Sequence, residues 1–117
     1  MRHRPITRAS RCSAGLAAAA GAMLLLSGGM ARAATIAITV SDLAFEPAVA
    51  EATVGDTIEW RNVDFVGHTA TDRSGQWDVA LPAGKTASIG MTTPGVMSYF
   101  CRFHPQMTGI IRVKPKL

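Results

Sequence analysis

From Thr35 to Val113 the chain never sustains a helical period. Apolar residues alternate with polar ones in steps of two, and turn formers interrupt every run. Thr35 to Val40 places Ile36, Ile38 and Val40 on one face, and Phe45-Glu46-Pro47 bends the chain before a second extended piece through Val54. Gly55-Asp56 turns it into Thr57 to Asn62, where Ile58 and Trp60 share a face, and His68 to Asp72 is again short and extended. A polar loop is expected from Arg73 to Leu81, carrying Trp77. It is followed by the turn Pro82-Ala83-Gly84-Lys85 and strands over Thr86–Met91, Val96–Cys101 and Gly109–Val113. Seven or eight short strands at this spacing predict an all-β domain, a two-sheet Greek-key sandwich.

The N-terminus follows a different rule. Arg2, His3, Arg4, Arg8 and Arg11 precede an uncharged run from Ser13 to Ala31, and Ala31-Arg32-Ala33 has the small-x-small form of a leader-peptidase site. Residues 1–33 are therefore expected to be a signal peptide and residues 34–117 the mature domain. The apolar centre, Ala14 to Leu26, is shorter than the roughly 20 residues that a spanning helix needs, so no stable membrane insertion is expected after cleavage. Twin arginines are absent, which favours export of an unfolded chain to the periplasm and acquisition of metal there.

Removing the leader changes the charge argument. The whole chain has a formal charge of +4, but five of its basic residues lie in residues 1–33, and the mature part is close to neutral. That gives no reason to expect a nucleic-acid or anionic-membrane partner. Cys12 leaves with the leader, so Cys101 is alone in an oxidising compartment and no intrachain disulfide can form. Such a thiol needs burial or a metal to stay intact.

Cys101-Arg102-Phe103-His104-Pro105-Gln106-Met107 brings a thiol, an imidazole and a thioether into one short loop, and His68 is the other histidine of the mature part. Thiolate and thioether favour Cu(I), while imidazole also suits Cu(II), so His68, Cys101, His104 and Met107 form a donor set able to hold copper in both states. Zinc fits less well, because structural zinc takes four Cys or His ligands. A binuclear copper centre would need a second cysteine. Asp64 and Asp72 flank His68 and read as solvated carboxylates. Met91, Met97, Trp60 and Trp77 read as packing residues, and Arg102 as a solvated rim charge.

Tyr99-Phe100-Cys101-Arg102-Phe103-His104-Pro105-Gln106-Met107-Thr108-Gly109 resembles the type 1 copper loop of cupredoxins, most closely that of the amicyanin group with its two-residue gaps. The likeness extends through Phe45-Glu46-Pro47, Gly55-Asp56-Thr57-Ile58-Glu59-Trp60-Arg61-Asn62 and Gly67-His68-Thr69. It implies a cupredoxin β-sandwich with His68, Cys101 and His104 in a trigonal plane around one copper and Met107 as its axial contact. It also implies a monomeric, non-enzymatic carrier that passes single electrons, its copper cycling between Cu(I) and Cu(II), through transient contacts with protein redox partners. Phe103, Pro105, Val66 and Pro82 would line the docking patch around His104. The rival function is copper binding and delivery in the periplasm with the same ligands. Two positions depart from the group. Thr69 stands where Asn commonly ties the ligand loops together, and Phe103 stands where Pro is usual, which would free a backbone N–H for the Cys101 sulfur.

Overall fold

The computed structural model describes residue 3 and residues 32–117, so the expected leader lies almost wholly outside the described residues. Nine strands follow in chain order: β1 (Thr35–Ser41), β2 (Ala44–Glu46), β3 (Val49–Thr53), β4 (Thr57–Asn62), β5 (His68–Asp72), β6 (Asp78–Leu81), β7 (Thr86–Gly90), β8 (Gly95–Phe100) and β9 (Thr108–Lys114). They form one sheet in the order β2-β1-β4-β7 and another in the order β3-β9-β8-β5-β6. The all-β sandwich expected from the alternation is present, with nine strands rather than seven or eight.

Part of the difference is β6, which occupies the end of the segment read as a polar loop. It lies at the edge of its sheet and pairs antiparallel with β5, His68 opposite Leu81 and Thr71 opposite Asp78. One neighbour supplies its hydrogen bonds, so its sequence needs little apolar alternation. Both sheets are mixed, because β1 pairs parallel with β4 and β3 parallel with β9.

Alternation settles the core. Ile38, Val40, Ile58, Trp60, Tyr99 and Ile111 are fully buried, each on the inward face of its strand. Trp60 Nε1 donates to Tyr99 Oη at 3.3 Å, and the rings of Phe45, Trp60 and Trp77 surround that of Tyr99 with centroids 4.7, 5.7 and 5.6 Å away. Burial pushes the Tyr99 phenol up to about 12, against the smaller opposing effect of the Trp60 hydrogen bond. This aromatic block anchors β8, and the next inward position after Tyr99 is Cys101.

The β1–β2 hairpin turns through Asp42 and Leu43, both left-handed at φ 51° and 60°. Two-residue hairpin turns of this hand normally use Asn or Gly. Here a carboxylate from another loop compensates: Asp64 accepts the backbone N–H groups of Asp42 at 2.8 Å and Leu43 at 3.2 Å.

Candidate metal centre

His68 opens β5, Cys101 follows β8, and His104 and Met107 lie in the loop between β8 and β9. Three reverse hydrogen bonds shape that loop: Cys101 N–H donates to Met107 O at 3.0 Å, His104 N–H to Cys101 O at 3.3 Å and Met107 N–H to His104 O at 2.8 Å. The two-residue gaps thus give successive tight turns that fold the donors back on one another. Cys101 Sγ lies 3.8 Å from His68 Nδ1 and 3.7 Å from His104 Nδ1.

Those separations test the fit of a metal. Metal–imidazole and metal–thiolate bonds of about 2.0 and 2.3 Å, opened to about 120° in a trigonal plane, put nitrogen and sulfur roughly 3.8 Å apart. The three donor atoms all lie within 4.8 Å of one another. Their spacing and their mixed soft and borderline chemistry fit one type 1 copper ion. Met107 is buried beside them, its backbone bonded to both Cys101 and His104. His68 and Cys101 are buried too, whereas His104 is partly exposed.

His68 is oriented from behind. Its Nε2 lies 2.7 Å from Asp64 Oδ2, and since a carboxylate only accepts, Nε2 carries the hydrogen and Nδ1 keeps its lone pair for the site. Partial burial raises the Asp64 carboxyl, but the hydrogen bonds from His68, Asp42 and Leu43 outweigh it and hold the group below the usual carboxylate range. This corrects the expectation of a solvated Asp64. Asp72, at the other end of β5, is buried and accepts from Ser74 Oγ and from Gln76 N–H, so it too is not the solvated carboxylate expected. Asn62 shapes the intervening loop: its side-chain amide donates to Val66 O and Leu81 O, both at 2.9 Å, and its Oδ1 accepts from Asp64 N–H at 2.9 Å.

We expect Asp64→Ala to lower copper affinity about 10- to 100-fold, the usual effect of removing a carboxylate behind a ligating imidazole. Asp64→Asn keeps an acceptor and should lose less. Competition titration against a chromogenic chelator measures both, and an unchanged affinity for Asp64→Ala would show that the carboxylate does not hold the ring.

The sulfur is tuned from β5. Thr69 N–H donates to Cys101 Sγ at 3.3 Å. Among the described residues no hydrogen bond joins Phe103 N–H to this sulfur, so the extra donor expected from Phe103 is not found and Thr69 N–H is the backbone donor there. The Thr69 side chain also makes the tie that Asn commonly makes in amicyanins, because its Oγ1 accepts Arg102 N–H at 2.9 Å. The hydroxyl's own hydrogen has one available direction. Thr71 Oγ1 donates to Asp78 Oδ1 at 2.7 Å, so Thr69 donates to Thr71 at 2.9 Å. Arg102 Nε closes the circuit on Asp78 at 3.3 Å. The Thr71 hydroxyl, opposed by partial burial and aided by Arg102, keeps the Asp78 carboxyl below its ordinary value.

The loop around His104 exposes the apolar Phe103 and Pro105 beside the polar Arg102 and Gln106. Phe103, Val66, Pro82 and Pro105 are exposed, as the sequence suggested, and Leu43 and Phe65 join the exposed apolar residues at this end of the sandwich. Phe65, wholly exposed, follows directly on Asp64 in the loop between β4 and β5; lying outside any strand, it gave no periodic signal.

A family profile described as a cupredoxin-like domain matches residues 15–113. Among solved structures, a reduced proline-to-phenylalanine variant of amicyanin is similar at 24% identity and TM-score 0.60, covering 68% of this chain and 82% of that one. A purple cupredoxin from Nitrosopumilus maritimus is similar at 25% identity and TM-score 0.61, covering 67% of this chain and 98% of its own. A copper-containing nitrite reductase from Thermus scotoductus matches 71% of this chain at 31% identity and TM-score 0.65, but over only 23% of the enzyme's length. With the profile spanning most of the sequence, and His68, Cys101 and His104 clustered as metal donors, this chain belongs to the cupredoxin-like domain family.

Proposed function

We propose that this protein is a periplasmic carrier of single electrons, exported through a cleaved leader, with one copper held by His68, Cys101, His104 and Met107. The observation that carries the reading is the unequal exposure of the donors. Cys101, His68 and Met107 are buried, while His104 reaches the surface amid Phe103, Val66, Pro82 and Pro105. Bound copper supplies a one-electron couple between Cu(I) and Cu(II). The protein does the rest. Asp64 fixes the His68 ring, Thr69 N–H stabilises charge on the Cys101 sulfur, and the loop hydrogen bonds hold His104 and Met107 in place. Little rearrangement is then needed between oxidation states.

Exposed apolar side chains such as Phe103 and Pro105 suit a partner that docks briefly and leaves, so small, transient contacts with protein redox partners are expected, and the carrier is expected to act as a monomer. Among the described residues no helix is long and apolar enough to cross a membrane. The function is non-enzymatic.

The test is spectroscopic. Reconstitution of the mature protein with Cu(II) should give an intense thiolate-to-copper absorption in the visible and an EPR spectrum with the narrow copper hyperfine splitting of a type 1 site. A colourless Cu(II) complex would sink the assignment. Release to a chelator, measured beside electron self-exchange, separates the carrier from a copper-delivery protein: a carrier exchanges electrons far faster than it loses metal.

A further inference from the structure

The compact unit spans Ala31–Leu117, but its hydrogen bonding begins at one residue, Ala34. Ala34 N lies 2.8 Å from Asp56 Oδ1, and Ala34 O accepts from Thr57 N–H at 2.9 Å. From there β1 enters its parallel ladder, with Thr35 opposite Thr57. Residues 32 and 33 are exposed and lie outside any strand.

Asp56 is built in firmly. It is 8% exposed, and its second carboxylate oxygen accepts Thr53 N–H at 2.8 Å. Its backbone N–H donates to Thr53 O at 2.9 Å and its carbonyl accepts from Met91 N–H at 2.8 Å, which fixes it between the β3–β4 turn and the end of β7. The hydrogen bonds from Ala34 and then Thr53 hold the carboxyl below the usual range against the opposing effect of burial. A fixed, nearly buried anion therefore faces the nitrogen of the residue that follows Ala31-Arg32-Ala33. In an uninterrupted chain that nitrogen is a neutral amide with one hydrogen. As a chain terminus it is an ammonium with full charge and three donors, a much stronger partner for a carboxylate.

We propose that the bond between Ala33 and Ala34 is the leader-peptidase cleavage site and that Asp56 is the receptor for the α-ammonium that cleavage creates. Hydrolysis breaks the Ala33 C–Ala34 N bond: the hydroxyl of water joins the Ala33 carbonyl carbon and its hydrogen joins the Ala34 nitrogen. The new carboxylic acid passes its proton to the amine at neutral pH, leaving a carboxylate on the leader and an ammonium on the domain. Position matters, because one residue of extended chain spans about 3.5 Å, so a cut one residue earlier carries the charge out of hydrogen-bonding reach of Asp56. Processing thus adds an ion pair at the start of β1, beside the β3–β4 turn.

Intact-mass measurement of the protein exported from the full-length chain tests the cut. The mass of residues 34–117 is expected, and any other N-terminus or a retained leader overturns the proposal. Denaturant unfolding of the exported protein tests the receptor. Asp56→Asn should lower the folded-to-unfolded ratio about fivefold more in the natural chain than in one with a glycine inserted between Ala33 and Ala34, which displaces the ammonium. An equal loss in both backgrounds overturns the ion pair. Neither readout depends on copper, so both stand apart from the electron-carrier reading.

Discussion

Cys101→Ser is expected to abolish the visible thiolate-to-copper band and to reduce retention of Cu(I) by orders of magnitude, while the unloaded domain keeps its fold. The three other donors are nitrogen and thioether groups; the thiolate is the only anionic ligand in the proposed set and the softest. Serine offers a hard, largely protonated oxygen in its place. The loop itself survives the change, because Cys101 takes part in it through backbone atoms, donating to Met107 O and accepting from His104 N–H. What is lost besides the donor is an acceptor for Thr69 N–H at the sulfur position. Absorption and EPR spectra of the Cu(II)-loaded variant, with circular dichroism of the unloaded form, check both halves. A coloured Cys101→Ser protein would mean that copper binds elsewhere.

Gly109→Ala should be the most damaging conservative change in the domain. Gly109 is paired with Tyr99 across β8 and β9, and the tyrosine ring lies over it. A Cβ at position 109 would sit 2.5 Å from Tyr99 Oη and 2.6 Å from Cε1, with Cζ also in collision. Those atoms cannot move aside easily. Tyr99 is fully buried, hydrogen-bonded to Trp60 and packed among the rings of Phe45, Trp60 and Trp77. Overpacking typically costs about 1–3 kcal/mol, and a rigid aromatic neighbour puts this site at the upper end, about 3 kcal/mol. For a domain of this size that lowers Tm by roughly 15 °C. Thermal melts of the unloaded protein measure it, and Tyr99→Leu in the same chain should recover part of the loss by removing the ring. A melt unchanged by Gly109→Ala would contradict the packing of Tyr99 over Gly109.

The cluster of His68, Cys101 and His104 was legible before the fold because metal chemistry is written in residue type and spacing: Cys101 and His104 fall in one short loop, and His68 is the remaining histidine of the expected mature part. Strands with inward alternation, such as β1, β4 and β9, were legible for a similar reason, since burial of one face dictates every second residue. The strand β6 was not, because an edge strand with a single neighbour needs no such pattern. Asp64 was hidden for a different reason. A carboxylate in a loop reads the same whether it meets water or an imidazole, and only the loop's closure around Asn62 decides which. Thr69 shows a third case: its type suggested a weaker tie than Asn, yet register places Thr71 and Asp78 where they complete it.

One carboxylate, Asp64, holds both the His68 ring and the left-handed Asp42–Leu43 turn that presents an apolar side chain at the rim. In evolutionary terms position 64 is pleiotropic. A substitution there alters the electronic properties of the centre and the surface offered to partners in one step, so selection on either trait constrains the other. The circuit of Thr71, Asp78 and Arg102 touches no part of that turn. Lineages of this protein should therefore drift in redox tuning through β5, β6 and Arg102, while position 64 stays fixed.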